Sequence, residues 1–537
     1  MTRSVVVIGG GIAGLAAASL LARDGYQVTL LEQHDEVGGR AGSWERDGFR
    51  FDTGPSWYLM PEVFDHYFRL LDSSAEAELQ LTRLDPGYRV YSEPADGASA
   101  ELIDIRDSRA ANVALFESIE PGAGLALERY LDSAKQVYEL AKDHFLYTNF
   151  QRLRAFTHPQ ILRHAAKFAR LFGQSLARFA GQRFSSPRLQ QVLGYPAVFL
   201  GSSPYLTPAM YHLMSYLDLE DGVLYPQGGF AQVITAIRQR AEAEGVSIRT
   251  GAAVTEILTE PSQGRSDWLA LATGVHYVQA GAKHTLSADL VVSAADLHFT
   301  ETELLPPQLQ TYGERYWAKR VPGPSAVLLY LGVRGELPEL LHHTLFFTRD
   351  WQQNFTDIFG AETQVPDPAS LYVCAPSVTD SNVAPAGDTN LFVLVPVPAD
   401  PGLGHGGIDG AGDPLIEQVA DRVIEQIAEW AGVPDLAERI TVRRTVGPAD
   451  FADDLNSWLG SALGPSHVLR QSAFLRAGNV SRKVQNLYYV GGSTTPGIGL
   501  PMCLISAEIL LKRLRGDTSA GPLPEPLRPE PLGPEPV

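Results

Sequence analysis

The chain has 537 residues, 45% of them hydrophobic and 20% charged, enough for two or three domains around a large core. A formal net charge of −19 argues against a general nucleic-acid binder. The two cysteines, Cys374 and Cys503, lie outside any C-x-x-C pair; this argues against a metal site or disulfide framework and points to a reducing, cytoplasmic compartment.

The opening stretch MTRSVVVIGGGIAGLAAASLLA has the basic residue, apolar run and small residues of a secretory signal. Its spacing instead fits a strand at 5–8, a glycine turn and a helix at 16–22. A second apolar strand, QVTLL, follows and ends at Glu32, 18 residues after Gly14. Gly9, Gly11 and Gly14 form G-x-G-x-x-G: the first permits the tight turn, the second a close approach to a pyrophosphate, the third helix–strand packing. The helix start offers N–H groups and partial positive charge to phosphates, and Glu32 can accept from ribose hydroxyls. The pattern predicts dinucleotide binding.

Further along, Gly38-Gly39-Arg40 and Asp52-Thr53-Gly54-Pro55 are turn-rich. Residues 145–217 contain no Asp or Glu but hold Arg152, Arg154, Arg163, Lys167, Arg170, Arg178, Arg183 and Arg188. Between 158 and 184 bases and apolar residues recur at roughly helical spacing, which predicts a basic amphipathic helix on an anionic membrane surface. The uncharged run from 194 to 217 suits the wall of an apolar tunnel. A Gly-Gly turn, a helix and a strand near Val254 follow, then the strand-like ADLVVSAAD, SAVLLYLGV and LFVLVPVP. Near the end, GGSTTPGIGLP carries Gly491, Gly492, Gly497 and Gly499 just before a helix that begins around Met502. So many glycines imply that something approaches the backbone closely. The tail over 516–537, rich in proline and acid, is expected to be disordered, and no apolar run reaches the roughly 18 residues of a membrane span.

The segment from Glu32 to Arg40 followed by FDTGP resembles the extended FAD motif of flavin amine oxidases and carotenoid desaturases. The resemblance implies FAD as cofactor. Gly39, Arg40, Gly54 and Pro55 would lie along the pyrophosphate and flavin, and the backbone of Val254 against the adenine. Gly491, Gly492, Gly499, Pro501 and Met502 would lie beside the isoalloxazine. GPSWYLMPEVFDHYF, LYPQGG and APSVTDSNVAPAG make the chain similar to bacterial-type phytoene desaturases in particular. It departs from them in STTPGIGLP, and no acid aligns in the helical substrate segment.

The implied architecture is α/β. A discontinuous Rossmann-like FAD-binding domain takes 1–90, 222–300 and 445–515. A helical, membrane-associated lobe takes 91–221, and a mixed-sheet substrate domain takes 301–444. The implied reaction is desaturation of a linear C40 carotenoid by hydride transfer to flavin N5, with the second hydrogen leaving as a proton. The partners are a long apolar polyene, a membrane surface contacted peripherally through 145–217, and a quinone or oxygen as electron acceptor. No catalytic acid or base is assigned; His158 and His164 are candidates by location alone. The alternatives are a later carotenoid desaturase, isomerase or oxygenase on the same scaffold, a flavin amine oxidase, or a non-enzymatic carrier.

Overall fold

A computed structural model describes residues 2–151, 158–262 and 268–529. The N-terminal segment is a strand, Ser4–Ile8, and not a signal. It stands at the centre of a parallel five-stranded sheet. The order is Leu487–Tyr489, Leu290–Ser293, Ser4–Ile8, Gln27–Leu31, Ser247–Arg249. The inner strands are mostly β-branched or leucine because both faces of the sheet are covered, one by helices and the other by the antiparallel strands Ala252–Pro261 and Ala270–Gln279. Ile12–Arg23 packs between Phe230–Ala243 and the last helix, Leu500–Leu514, in one apolar core. The two ends of the chain thereby meet: the strand before the last helix pairs with Leu290–Ser293, which pairs with the first strand.

A second, seven-stranded sheet is mixed. Its order is Ile440–Val446, Ser325–Val333, Thr389–Val397, Leu371–Cys374, His343–Phe347, Tyr88–Ser92, Leu102–Ile105. His343–Phe347 and Tyr88–Ser92 run parallel, and the other neighbours antiparallel. The expected domain boundaries at 90 and 444 fall inside two of these strands. Pairing across long sequence distance joins the segments on either side of each boundary into one sheet. The helix Pro414–Ala431 covers one face of this sheet. The other face meets the lobe built on Ala123–Ala141 and the short helices after it.

Two expectations need correction. The basic stretch is three short helices, Pro159–Arg163, Ala165–Phe172 and Leu176–Gly181, and not one. His164 and Gly173 interrupt them, and the Ser175 hydroxyl caps the third by accepting from the Arg178 N–H. Arg152 and Arg154 lie outside the described residues. The tail, expected to be disordered, packs on the nucleotide domain through its described residues 516–529. Leu523 and Leu527 are buried in the nucleotide-domain core, and the Leu527 N–H donates to the Leu70 carbonyl. The buried Lys512 ammonium donates to the carbonyls of Tyr147, Ser519 and Gly521.

Candidate active site

One cavity of about 1000 Å³ runs from the parallel sheet to the mixed sheet. Its nucleotide end is built by the first strand, the first helix and the turn between them. Gly9 sits at φ +94°, and a Cβ there would lie 3.3 Å from the Ala295 nitrogen. A Cβ on Gly14 would lie 1.9 Å from the Gly9 carbonyl oxygen, so only glycine lets helix and turn pack. Gly14 therefore supports the site without lining it, whereas Gly9 and Gly11 line it. Glu32 is buried, and its carboxylate accepts from the backbone N–H groups of Gly10, at 2.6 Å, and His34, at 2.9 Å. Those bonds fix its position at the cavity wall, with oxygen lone pairs to spare.

Gly39, Arg40, Gly54, Pro55 and Val254 also line the cavity. A Cβ on Gly54 would meet the Arg40 carbonyl at 2.3 Å, which ties the two turn-rich segments together. Arg40 donates to the Ala462 carbonyl and the Ser457 hydroxyl, and makes no ion pair among the described residues. Asp52 reaches the other way and accepts from the N–H groups of Phe230 and Ala231 at the start of their helix. Asp380, in the APSVTDSNVAPAG segment, accepts from the Gly228 N–H and the Tyr225 hydroxyl, pinning that segment to YPQGG.

The final glycine turn faces the first one. Gly491, Gly492, Gly499, Pro501 and Met502 all line the cavity. At Gly492 the nearest atom to an added Cβ is 3.8 Å away, so no protein group demands glycine there. Gly497 differs, because a Cβ would lie 2.2 Å from His467 Nε2. The helices beginning after Gly11 and Gly499 both start at the cavity without a side-chain cap. Two uncapped helix N-termini, an unpaired arginine and an open glycine backbone suit a dinucleotide diphosphate and a planar ring.

Three supports of this turn escaped the sequence reading. The buried Arg476 donates to the carbonyls of Gly492, Thr494 and Gln471, and burial lowers its pKa to about 10. The amide of Asn479 donates to the carbonyls of Tyr489 and Thr495, and the Ser506 hydroxyl accepts from the Gly491 N–H. A lone arginine and asparagine in LRAGN just before the last strand were the only signal. His158 and His164 do not line the cavity; His158 lies tilted against His144, 4.4 Å between ring centroids.

The far part of the cavity is apolar. Phe168, Phe172, Tyr195, Phe199, Leu345 and Phe347 form much of its wall. Among the described residues, the lining contributed by 137–217 and 345–394 has no charged side chain. Behind it Asp218 is buried, accepting from the hydroxyls of Tyr195, at 2.7 Å, and Tyr88, at 3.1 Å, and burial pushes its carboxyl up to about 7. Strand pairing also brings His342, His343 and Cys374 together, their ligand atoms within 4.8 Å of one another. Nothing in the sequence pointed to this cluster, because its members meet only through strand pairing. Burial drops His342 to about 3 and raises the Cys374 thiol to about 12, so the group is neutral.

The family model "Flavin containing amine oxidoreductase" matches residues 12–509. A carotenoid 3,4-desaturase of Haloarcula japonica is 41% identical over 504 residues, covering 94% of this chain and 96% of its own. A zeta-carotene-forming phytoene desaturase of Myxococcus xanthus is 35% identical, covering 95% and 94%. A putrescine oxidase solved with putrescine superposes with a TM-score of 0.59 at 15% identity, over 96% of this chain and 99% of that one, and shows the shared fold. The chain belongs to the flavin-containing amine oxidoreductases and, within them, to the carotenoid desaturases.

Proposed function

We infer that the chain desaturates a linear carotenoid with FAD as cofactor. The observation that carries this is the charge-free wall of the far cavity, continuous with a dinucleotide-shaped end. A cationic amine buried in this wall would leave its charge without a carboxylate partner; a polyene needs only apolar surface. Arg40 and the two helix starts hold the diphosphate, Glu32 the ribose, and the backbone at Val254 the adenine. The turn through Gly491, Gly492 and Gly499 faces the ring system, steadied from behind by Arg476. Bound FAD supplies the two-electron acceptor for a hydride. The protein's own part is to hold an allylic carbon–carbon bond in register and to exclude water from it.

The reading extends to a membrane surface. Phe474 lines the cavity and is 50% exposed, Leu469 and Leu475 are exposed near it in sequence, and Leu162 is exposed on Pro159–Arg163. Arg163, Lys167, Arg170, Arg178 and Arg183 make no ion pair among the described residues, while Arg188 pairs with Glu101. Exposed apolar residues on the cavity lining, together with bases that make no ion pair among the described residues, favour a peripheral position through which a polyene enters. Among the described residues no helix is long and apolar enough to cross a membrane.

The test is to give FAD-loaded protein phytoene, zeta-carotene and lycopene in liposomes without air. The expected result is bleaching of the yellow flavin absorbance together with a more conjugated product on chromatography. No bleaching with any of the three, or hydrogen peroxide formed from putrescine in air, overturns the reading.

A further inference from the structure

Desaturation takes two hydrogens from neighbouring carbons, one as a hydride and one as a proton. The tunnel wall over 137–217 and 345–394 offers that proton no carboxylate, but it does offer hydroxyls. Ser56 directly follows Gly54 and Pro55, and all three line the cavity. The Tyr330 hydroxyl donates to the Thr53 carbonyl at 3.1 Å, so this segment lies across the face of the mixed sheet. Tyr372 stands on that face, opposite Leu345, and lines the cavity too. The Ser56 and Tyr372 hydroxyls lie 2.7 Å apart, and the Tyr372 hydroxyl lies 2.7 Å from His343 Nδ1. His343 is two residues before Leu345 on one strand, hence on the same face, and is fully buried.

The string is held from both sides by neighbours in the chain. Ser56 begins it, and the Trp57 ring stacks on the His343 imidazole with centroids 4.3 Å apart and planes 10° apart. His343 Nε2 has no partner among the described residues. With the ring proton on Nε2, Tyr372 donates to Nδ1, Ser56 donates to Tyr372, and the Ser56 oxygen keeps a lone pair for the cavity. Burial, and after it the adjacent His342, hold the imidazole neutral. Cys374, opposite His343, keeps its own proton through burial and supplies no competing base. Tyr195 shows the contrast: its ring lines the cavity, but its hydroxyl turns away to Asp218.

We propose that Ser56, Tyr372 and His343 form a relay that takes the proton released in desaturation. This rests on the carotenoid reading above and gives that reaction its proton acceptor. As the hydride leaves one carbon toward the cofactor, a C–H bond of the next carbon breaks. Its electron pair becomes the π bond of the new double bond. Its proton goes to Ser56 Oγ, the Ser56 proton to Tyr372, and the Tyr372 proton to His343 Nδ1. Both hydroxyls are regenerated, and His343 ends as imidazolium. Ser56 touches the polyene; His343 acts through Tyr372.

The experiment follows flavin bleaching in a single turnover without air, on FAD-loaded protein, with phytoene, zeta-carotene or lycopene in liposomes. Flavin content and polyene quenching of tryptophan fluorescence report cofactor and substrate binding. Tyr372→Phe keeps the ring and cuts the string; Ser56→Ala cuts it at the cavity. His343→Gln can accept a hydrogen bond but cannot hold the proton. Each should slow bleaching by about a hundred-fold or more, with both kinds of binding intact. Wild-type bleaching should be slower in D2O, because two hydroxyl protons move, and Tyr372→Phe should lose that difference. Bleaching at the wild-type rate in Tyr372→Phe or Ser56→Ala overturns the proposal, as does a wild-type rate equal in H2O and D2O. Where Tyr372→Phe purifies without flavin, Ser56→Ala and the wild-type solvent effect decide. A wild-type protein that no polyene bleaches overturns the desaturase reading itself, which separates the two failures.

Discussion

At Gly492 the protein leaves space that it does not itself use. An added side chain there meets no clash and no left-handed strain, since the nearest atom to its Cβ, the Ile498 Cα, is at an ordinary contact distance of 3.8 Å. Gly492→Leu should therefore fold with little loss of stability and yet purify without yellow colour. Thermal unfolding of the FAD-free forms, set beside flavin content, checks this; normal flavin content in a folded variant would show that the turn does not face the cofactor. Asp218 makes a prediction of the opposite kind, in stability. Burial raises its carboxyl from 3.8 to about 7 in the folded protein. The folded state then binds the proton more tightly than the unfolded one. The resulting stabilisation is complete below about pH 4 and is lost as pH rises through 7. Asp218→Asn still accepts from Tyr88 and Tyr195 but cannot ionise. From pH 5 to pH 8 the variant should gain on the order of 3 kcal/mol relative to wild type. Parallel denaturation curves at the two pH values would mean that Asp218 is ionised in the fold at both.

Elements separate what local sequence encodes from what only packing decides. The first strand, the first glycine turn and the strand Gln27–Leu31 were legible because each rule involved acts within about thirty residues. The glycine turn before the last helix was legible as a puzzle, glycines without local need, and its answer lay across the molecule. The supports of that turn, Arg476 and Asn479, were not legible, because a buried arginine that serves backbone carbonyls looks like any surface arginine. The tail failed for a related reason. Its proline and acid content reads as a chain with nothing to bury, but its surface partner is in the other parts of the sequence. Leu523 and Leu527 enter a groove between Pro61–Leu70 and the last helix, and Lys512 exchanges water for three carbonyls, two of them from the tail. A stop after Arg515 removes both leucines and two of those carbonyls. Burial of two leucines contributes roughly 3–5 kcal/mol, so the truncated protein should unfold at clearly lower denaturant concentration. Unchanged midpoints would show that the tail is merely laid on the surface.

For the molecule as a whole, the proposed membrane reading gives the two ends of the cavity different surroundings. Phe474 on the cavity lining is half exposed, and Arg163, Lys167 and Arg170 make no ion pair among the described residues, in a chain of net charge −19. An acidic protein is repelled on average by an anionic bilayer, so docking would have to come from the local inversion of charge over 145–217. Each base near the surface contributes about 1 kcal/mol to binding anionic lipid, and salt weakens that contribution. Exposed Phe474 and Leu475 would add an apolar contribution that salt does not screen. The two parts can be separated by flotation with liposomes containing anionic lipid. Replacing Arg163, Lys167 and Arg170 with Glu reverses three charges and should abolish binding at low salt. Phe474→Ser with Leu475→Ser should leave a weaker binding that now vanishes as salt is raised. Flavin content, unchanged in both, reports that the fold is intact. Binding that survives the charge reversal would move the docking face away from the short basic helices and remove the reason for placing the polyene's entrance there.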